Sequence, residues 1–170
     1  MKLKTRSTIG IFIVICIIMP GCDTLDEASN RSIDDLEFKL NIDPDQISRD
    51  GEFTATYSIH NNSSQTVEMV SGCTQLARGI VFRDGEVVNL KGSADGCFTA
   101  ISTHVIDAGN KFERVWKVKP FSVRFFPDDR EPDTTFAEPG EYTFTVKSDV
   151  IEVNGEGKRL PDLERIFFIE

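Results

Sequence analysis

Phe53-Thr54-Ala55-Thr56-Tyr57-Ser58-Ile59-His60-Asn61-Asn62-Ser63-Ser64-Gln65-Thr66-Val67 is the stretch that decides how this chain folds. Phe53, Ala55, Tyr57 and Ile59 alternate with Thr54, Thr56 and Ser58. A period of two places the first set on one face of a strand and the second set on the other. The residues are mostly β-branched or aromatic, the types that suit a pleated, half-buried surface. Asn61-Asn62-Ser63-Ser64 then reads as a polar turn, because these short side chains bond the local backbone. Val67 begins the returning strand.

The same rhythm extends in both directions. Leu36, Phe38, Leu40 and Ile42 alternate with polar residues upstream. Downstream, Ile80-Val81-Phe82 and Val87-Val88 flank Arg83-Asp84-Gly85-Glu86, and Asp-Gly between apolar runs signals a hairpin. Ile101–Asp107 and Lys111–Lys119 flank Ala108-Gly109-Asn110, with Phe112, Trp116 and Val118 assigned to the core. Tyr142, Phe144 and Val146 alternate after Pro139-Gly140, and Val150–Val153 and Leu163–Ile169 read as a last hairpin across Asn154-Gly155-Glu156-Gly157. No stretch shows a helical period. About eight or nine short strands separated by turns predict an all-β fold, an antiparallel β-sandwich of the immunoglobulin type, over residues 35–170.

The N-terminus has a different character. Lys2, Lys4 and Arg6 precede an apolar run, Ile9–Met19, which ends at Pro20-Gly21-Cys22. The run is short of the roughly 20 residues a spanning helix needs. A basic start, a short apolar run and a small residue before the cleavage point describe a signal peptide over residues 1–21. With the cysteine in that position the segment resembles the signal of a bacterial lipoprotein. The resemblance implies cleavage before Cys22 and acylation of Cys22, hence a bacterial cell-envelope protein anchored to a membrane by lipid, with its domain outside the cytoplasm. Residues 22–34 are polar and read as a tether, reaching at most about 40 Å.

The chain has four cysteines. Cys16 lies in the signal segment and Cys22 takes the lipid, which leaves Cys73 and Cys97 as an even pair for an oxidising compartment. The chain has 19 basic and 28 acidic residues, and loss of Lys2, Lys4 and Arg6 with the signal leaves 16 basic residues. That acidity excludes a nucleic-acid partner, whose phosphates need Lys and Arg. It equally excludes electrostatic docking on anionic lipid, so the anchor must come from the acyl chains.

No catalytic constellation emerges. His60 and His104 each read as structural or solvated. No Gly-x-Ser-x-Gly elbow, His-Glu-x-x-His pair or phosphate loop is present, and no metal or other cofactor is implied. The acidic loop around Asp128, Asp129, Glu131 and Asp133 lacks EF-hand spacing. Pro120–Pro139 is a long loop that interrupts the strand rhythm, and long loops on rigid scaffolds often carry function. Its Phe121, Phe125, Phe126 and Phe136 are therefore the candidate contact for another envelope protein.

Four segments in order resemble the intracellular proteinase inhibitor (BsuPI-type) family: Phe53–Val67, Arg83–Val88, Ala108-Gly109 followed by Phe112 and Trp116, and Pro139–Val146. The resemblance spans Leu36 to Val146 and implies an immunoglobulin-like sandwich. As an alternative to an interaction module, it also implies proteinase inhibition. It marks no inhibitory residue here.

Overall fold

A computed structural model describes residues 33–93, 97–124 and 133–170, the side chains of Val123, Arg124 and Asp133 excepted. After a 3-10 turn at Ile33–Asp35, the strands in chain order are β1 (Leu36–Asp43), β2 (Gln46–Ile47), β3 (Phe53–Asn61), β4 (Val67–Cys73), β5 (Ala77–Arg83), β6 (Glu86–Val88), β7 (Thr99–Ile106), β8 (Lys111–Val118), β9 (Phe121–Arg124), β10 (Asp133–Phe136), β11 (Gly140–Ser148), β12 (Val150–Val153) and β13 (Leu163–Ile169). Ile33, near the end of the stretch read as a tether, packs against the core. The signal segment 1–21 and Cys22 lie outside the described residues.

The chain is an all-β sandwich. One layer has the order β1-β3-β8, all antiparallel, and β3 buries alternate residues along its whole length. Its register sets Ala55 opposite Trp116, so the small residue makes room for the large one. The other layer contains the order β2-β13-β11-β5-β6 and the order β12-β4-β7. These two pieces form one bent sheet. β4 leads into β5, and β11 leads into β12, with β5 pairing β11 and β4 pairing β12. At the bend Gly72 N donates to Asp149 O at 3.1 Å and Asp149 N donates to Leu76 O at 3.0 Å. Arg78 clamps the Asp149 carboxylate through two hydrogen bonds of 2.7 and 2.8 Å.

Phe53, Tyr57, Ile59, Val118, Phe144 and Phe167 meet between the layers and are fully buried. Each of the apolar side chains contributes roughly 1.5–3 kcal/mol of burial, whereas Tyr57 also buries a hydroxyl that has no hydrogen-bond partner among the described residues. Phe53 lies edge-on to Phe144 with centroids 5.9 Å apart, and Trp116 lies 5.5 Å from Phe144. A Cβ on Gly79 would fall 2.5 Å from Phe144 Cζ, so only glycine allows β5 to pass this ring. Tyr142, at the start of β11, donates its hydroxyl to Glu138 O four residues upstream at 2.7 Å. This is the tyrosine corner found in immunoglobulin-like sandwiches.

Three details depart from the sequence reading. Val150–Val153 and Leu163–Ile169 do not form a hairpin. Asn154 (φ 50) and Gly155 (φ 80) do make the expected tight turn, but it closes only on Glu156. β12 pairs with β4, and β13 pairs with β11, because Phe167 and Ile169 find their core position there. The strand count rises to thirteen among the described residues, since the sequence reading has no strand at β2 and takes Pro120–Pro139 as a long loop, whereas that stretch contains β9 and β10, which pair antiparallel. One pair is parallel: β2 lies along the end of β13. The Asp84-Gly85 hairpin forms as read, with both residues at positive φ (51 and 80).

Candidate functional site

The turn at Ala108–Asn110 carries the chain between layers, so β7 pairs with β4 and β8 pairs with β3. The Cys73–Cys97 disulfide is formed, with Cα atoms 5.4 Å apart, and it ties the end of β4 to the residues entering β7. It is a strap on the sheet. Ser71 reinforces the same corner, donating to Gln75 O at 2.7 Å and accepting from Cys73 N at 3.2 Å.

Of the four phenylalanines assigned to the contact loop, Phe125 and Phe126 lie outside the described residues. Phe121 and Phe136 face each other across the β9–β10 hairpin at 5.8 Å. Phe121 is half-buried and Phe136 is 36 % exposed. Each ring carries a cation: the Arg49 guanidinium stands 4.3 Å from the Phe136 centroid and the Lys91 ammonium 5.3 Å from that of Phe121. Such contacts contribute roughly 0.5–1 kcal/mol each at exposed sites. The pair is thus a cation-covered aromatic cluster rather than a bare apolar patch.

Larger apolar exposure lies elsewhere, on the solvent face of the bent sheet. Across β6, β5, β11 and β13 the register aligns Val87, Phe82, Thr143 and Ile166 in one row. Ile80 and Phe168 flank that row, and Val87 and Ile166 are 59 % and 52 % exposed. At the other end Ile101 is 80 % exposed and Phe98 74 %, with Val105 and Ile151 also exposed. The opposite layer differs. Its outer face shows Glu37, Lys39 and Asn41 on β1, Thr54, Thr56 and Ser58 on β3, and Lys111, Glu113 and Lys117 on β8, with Val115 as the apolar exception. A polar outer face is the rule for such layers, and exposed apolar patches mark contact sites. The signal was present in the sequence. Ile80-Val81-Phe82 and Ile166-Phe167-Phe168-Ile169 are unbroken apolar runs, so both faces of those strands had to be apolar.

Each histidine has its own hydrogen-bond contact. His60 Nε2 lies 3.1 Å from Gly109 O. Ser102 Oγ lies 2.6 Å from Cys73 O and 3.1 Å from His104 Nε2. Burial holds the His104 imidazole below its ordinary value. A cleft of about 630 Å³ is bordered by Arg78, Lys147, Asp149, Arg159, Leu160 and Asp162. Its charges have both signs, and Arg78 is committed to Asp149. Among the described residues no three His, Cys, Asp or Glu side chains converge as a metal site, and no helix is long and apolar enough to cross a membrane.

No family model and no curated protein matches the chain. Solved structures similar to it include a β-glucosidase from Listeria innocua in complex with glucose (12 % identity over 79 % of this chain and 16 % of that one, TM-score 0.39). Others are a β-glucosidase from Erythrobacter marinus (11 %, 79 % and 15 %, TM-score 0.44) and the alkylpurine DNA glycosylase AlkC from Pseudomonas fluorescens bound to DNA with an abasic-site analogue (15 %, 79 % and 30 %, TM-score 0.36). The chain spans between about a seventh and a third of those proteins. Likeness at this level carries nothing about activity.

Proposed function

We propose that this protein is a non-enzymatic interaction module of the bacterial envelope, held to a membrane through acylated Cys22 and presenting one face of its sandwich to another protein. The observation that carries the reading is the contrast between the two outer faces. Exposed Val87, Ile101, Val105, Ile166 and Phe168 all belong to the bent sheet, while the β1-β3-β8 layer is polar outside apart from Val115. A solvated sheet face gains nothing from exposed isoleucine and phenylalanine, but a contact face does, since interface cores are apolar and depleted in charge. The Cys73–Cys97 disulfide suits an oxidising compartment, in keeping with export. Anchoring rests on Ile9–Cys22, and the proteinase-inhibitor alternative rests on sequence resemblance alone.

Chemical crosslinking of the native protein in membranes, followed by identification of what is captured, tests the proposal. The unanchored Cys22→Ala variant is the control. One dominant protein partner, reduced in the control, is the expected result. An equal yield of many proteins, or none in either sample, contradicts it.

A further inference from the structure

β7 is the edge strand of the order β12-β4-β7, and among the described residues its strand partner is β4. Edge strands expose unpaired N–H and C=O groups, and proteins normally protect them with Lys, Pro, inward charges or short length. β7 has none of these, although its ladder with β4 slips between Ser102 and Thr99, a bulge of the kind that can also turn an edge away. The regular edge therefore runs from Ser102 to Ile106. Its sequence, Thr99-Ala100-Ile101-Ser102-Thr103-His104-Val105-Ile106, has eight residues, no proline and no Lys, Arg, Asp or Glu. Ile101 and Val105 project from the same solvent face, with Phe98 just before the strand. The disulfide ties the entry to this edge, which removes conformational freedom that a binding partner would otherwise have to quench.

We infer that the free edge of β7 is a strand-addition site for an extended segment of another polypeptide, one with apolar residues at alternate positions and Lys or Arg beside them. The inference rests on the interaction-module reading and names its site and its partner's chemistry. The backbone of β7 would supply the hydrogen bonds, and alternate side chains the selectivity. The basic component follows from charge. Glu68 stands directly opposite Val105 in the register, and Asp107 follows the strand, held by Thr66 Oγ1 at 3.2 Å. Both are exposed acids beside an uncharged edge, on a chain of net charge −9. The same charge repels a second copy at long range, so a basic hetero-partner fits better than self-pairing.

The test uses the full-length protein in lipid nanodiscs and backbone hydrogen–deuterium exchange. The probe is a peptide of alternating valine and threonine with two lysines at each end. Binding should slow exchange at residues 99–106 at least about tenfold, with little change in β1, β3 or β8. N-methylation of alternate peptide nitrogens should abolish binding, because it removes the ladder. Replacing the lysines by glutamates should weaken it about tenfold at low salt and less at high salt. Ile101→Asp and, separately, Val105→Lys should each weaken it while leaving the melting temperature unchanged, since both side chains are exposed. Protection elsewhere, binding that survives N-methylation, or a β7 already protected in a self-paired dimer would overturn the inference. A photo-crosslinker at Ile166 separates the two claims. Partner capture there without peptide at β7 removes strand addition and leaves the interaction module. Capture at neither site removes both.

Discussion

Asn61 is fully buried and both ends of its amide are used. Nδ2 donates to Gln65 O at 2.7 Å and Ile106 O at 3.0 Å, and Oδ1 accepts from Ser63 N and Ser63 Oγ. One side chain thus closes the β3–β4 turn and joins it to the end of β7. Asn61→Ala should destabilise the protein by about 3 kcal/mol, because the carbonyl of Ile106 loses a buried donor while Ser63 N and Ser63 Oγ lose their acceptor. Urea unfolding measures it, and a loss under about 1 kcal/mol would show the network to be dispensable. The sequence carried part of this. Phe53, Ala55, Tyr57 and Ile59 set the inward phase, and Asn61 continues it, so an inward amide was readable; its partners on Gln65 and Ile106 were not, because turn closure decides them. His104 is a second residue with a measurable consequence. Its folded value lies below its unfolded one, so the unfolded chain binds the proton more readily. Stability should therefore be complete at pH 7 and fall as pH drops through about 6.5, the unfolded histidine value. Melting curves between pH 7 and 5 should show a slope that His104→Gln reduces. An unchanged slope in that variant would assign the dependence to other groups.

At the scale of elements, the Cys73–Cys97 strap and the bend carry the most weight. The disulfide closes a loop of about 25 residues, for which chain entropy gives up to about 3.5 kcal/mol. Cys73→Ser together with Cys97→Ser should lower the urea midpoint accordingly and speed backbone exchange most at β7, whose entry the disulfide holds. A double variant with an unchanged midpoint would make the strap irrelevant to stability. Strands with strict alternation, β3 and β11 above all, were legible from period alone, and so was the Asp84-Gly85 hairpin. The bend was not. It depends on Arg78 reaching Asp149, residues 71 positions apart, and no local pattern encodes such a pairing. The misread last hairpin has a similar cause. Asn154-Gly155 does turn the chain, but the burial of Leu160, Phe167 and Ile169 returns it to β11 rather than to β12. Tertiary burial outweighed a correct local signal.

For the molecule as a whole, the two outer faces are the organising fact. Sequence periodicity assigns residues to inner or outer faces, but it does not say which outer faces lie side by side. The Phe121–Phe136 loop drew attention through its aromatic density, yet its described rings are paired and covered by Arg49 and Lys91. On the bent sheet the exposed apolar residues come from four strands, β6, β7, β12 and β13, dispersed between Val87 and Phe168, and only the register of β5, β6, β11 and β13 gathers Val87, Phe82 and Ile166 into a row. The most direct measurement places a photo-crosslinking amino acid at Ile101, at Ile166 or at Glu113, one position at a time, in the membrane-anchored protein. The account predicts that Ile101 and Ile166 capture the same discrete partner and that Glu113, on the polar layer, captures none. Equal capture at all three positions, or capture at Glu113 alone, would contradict it.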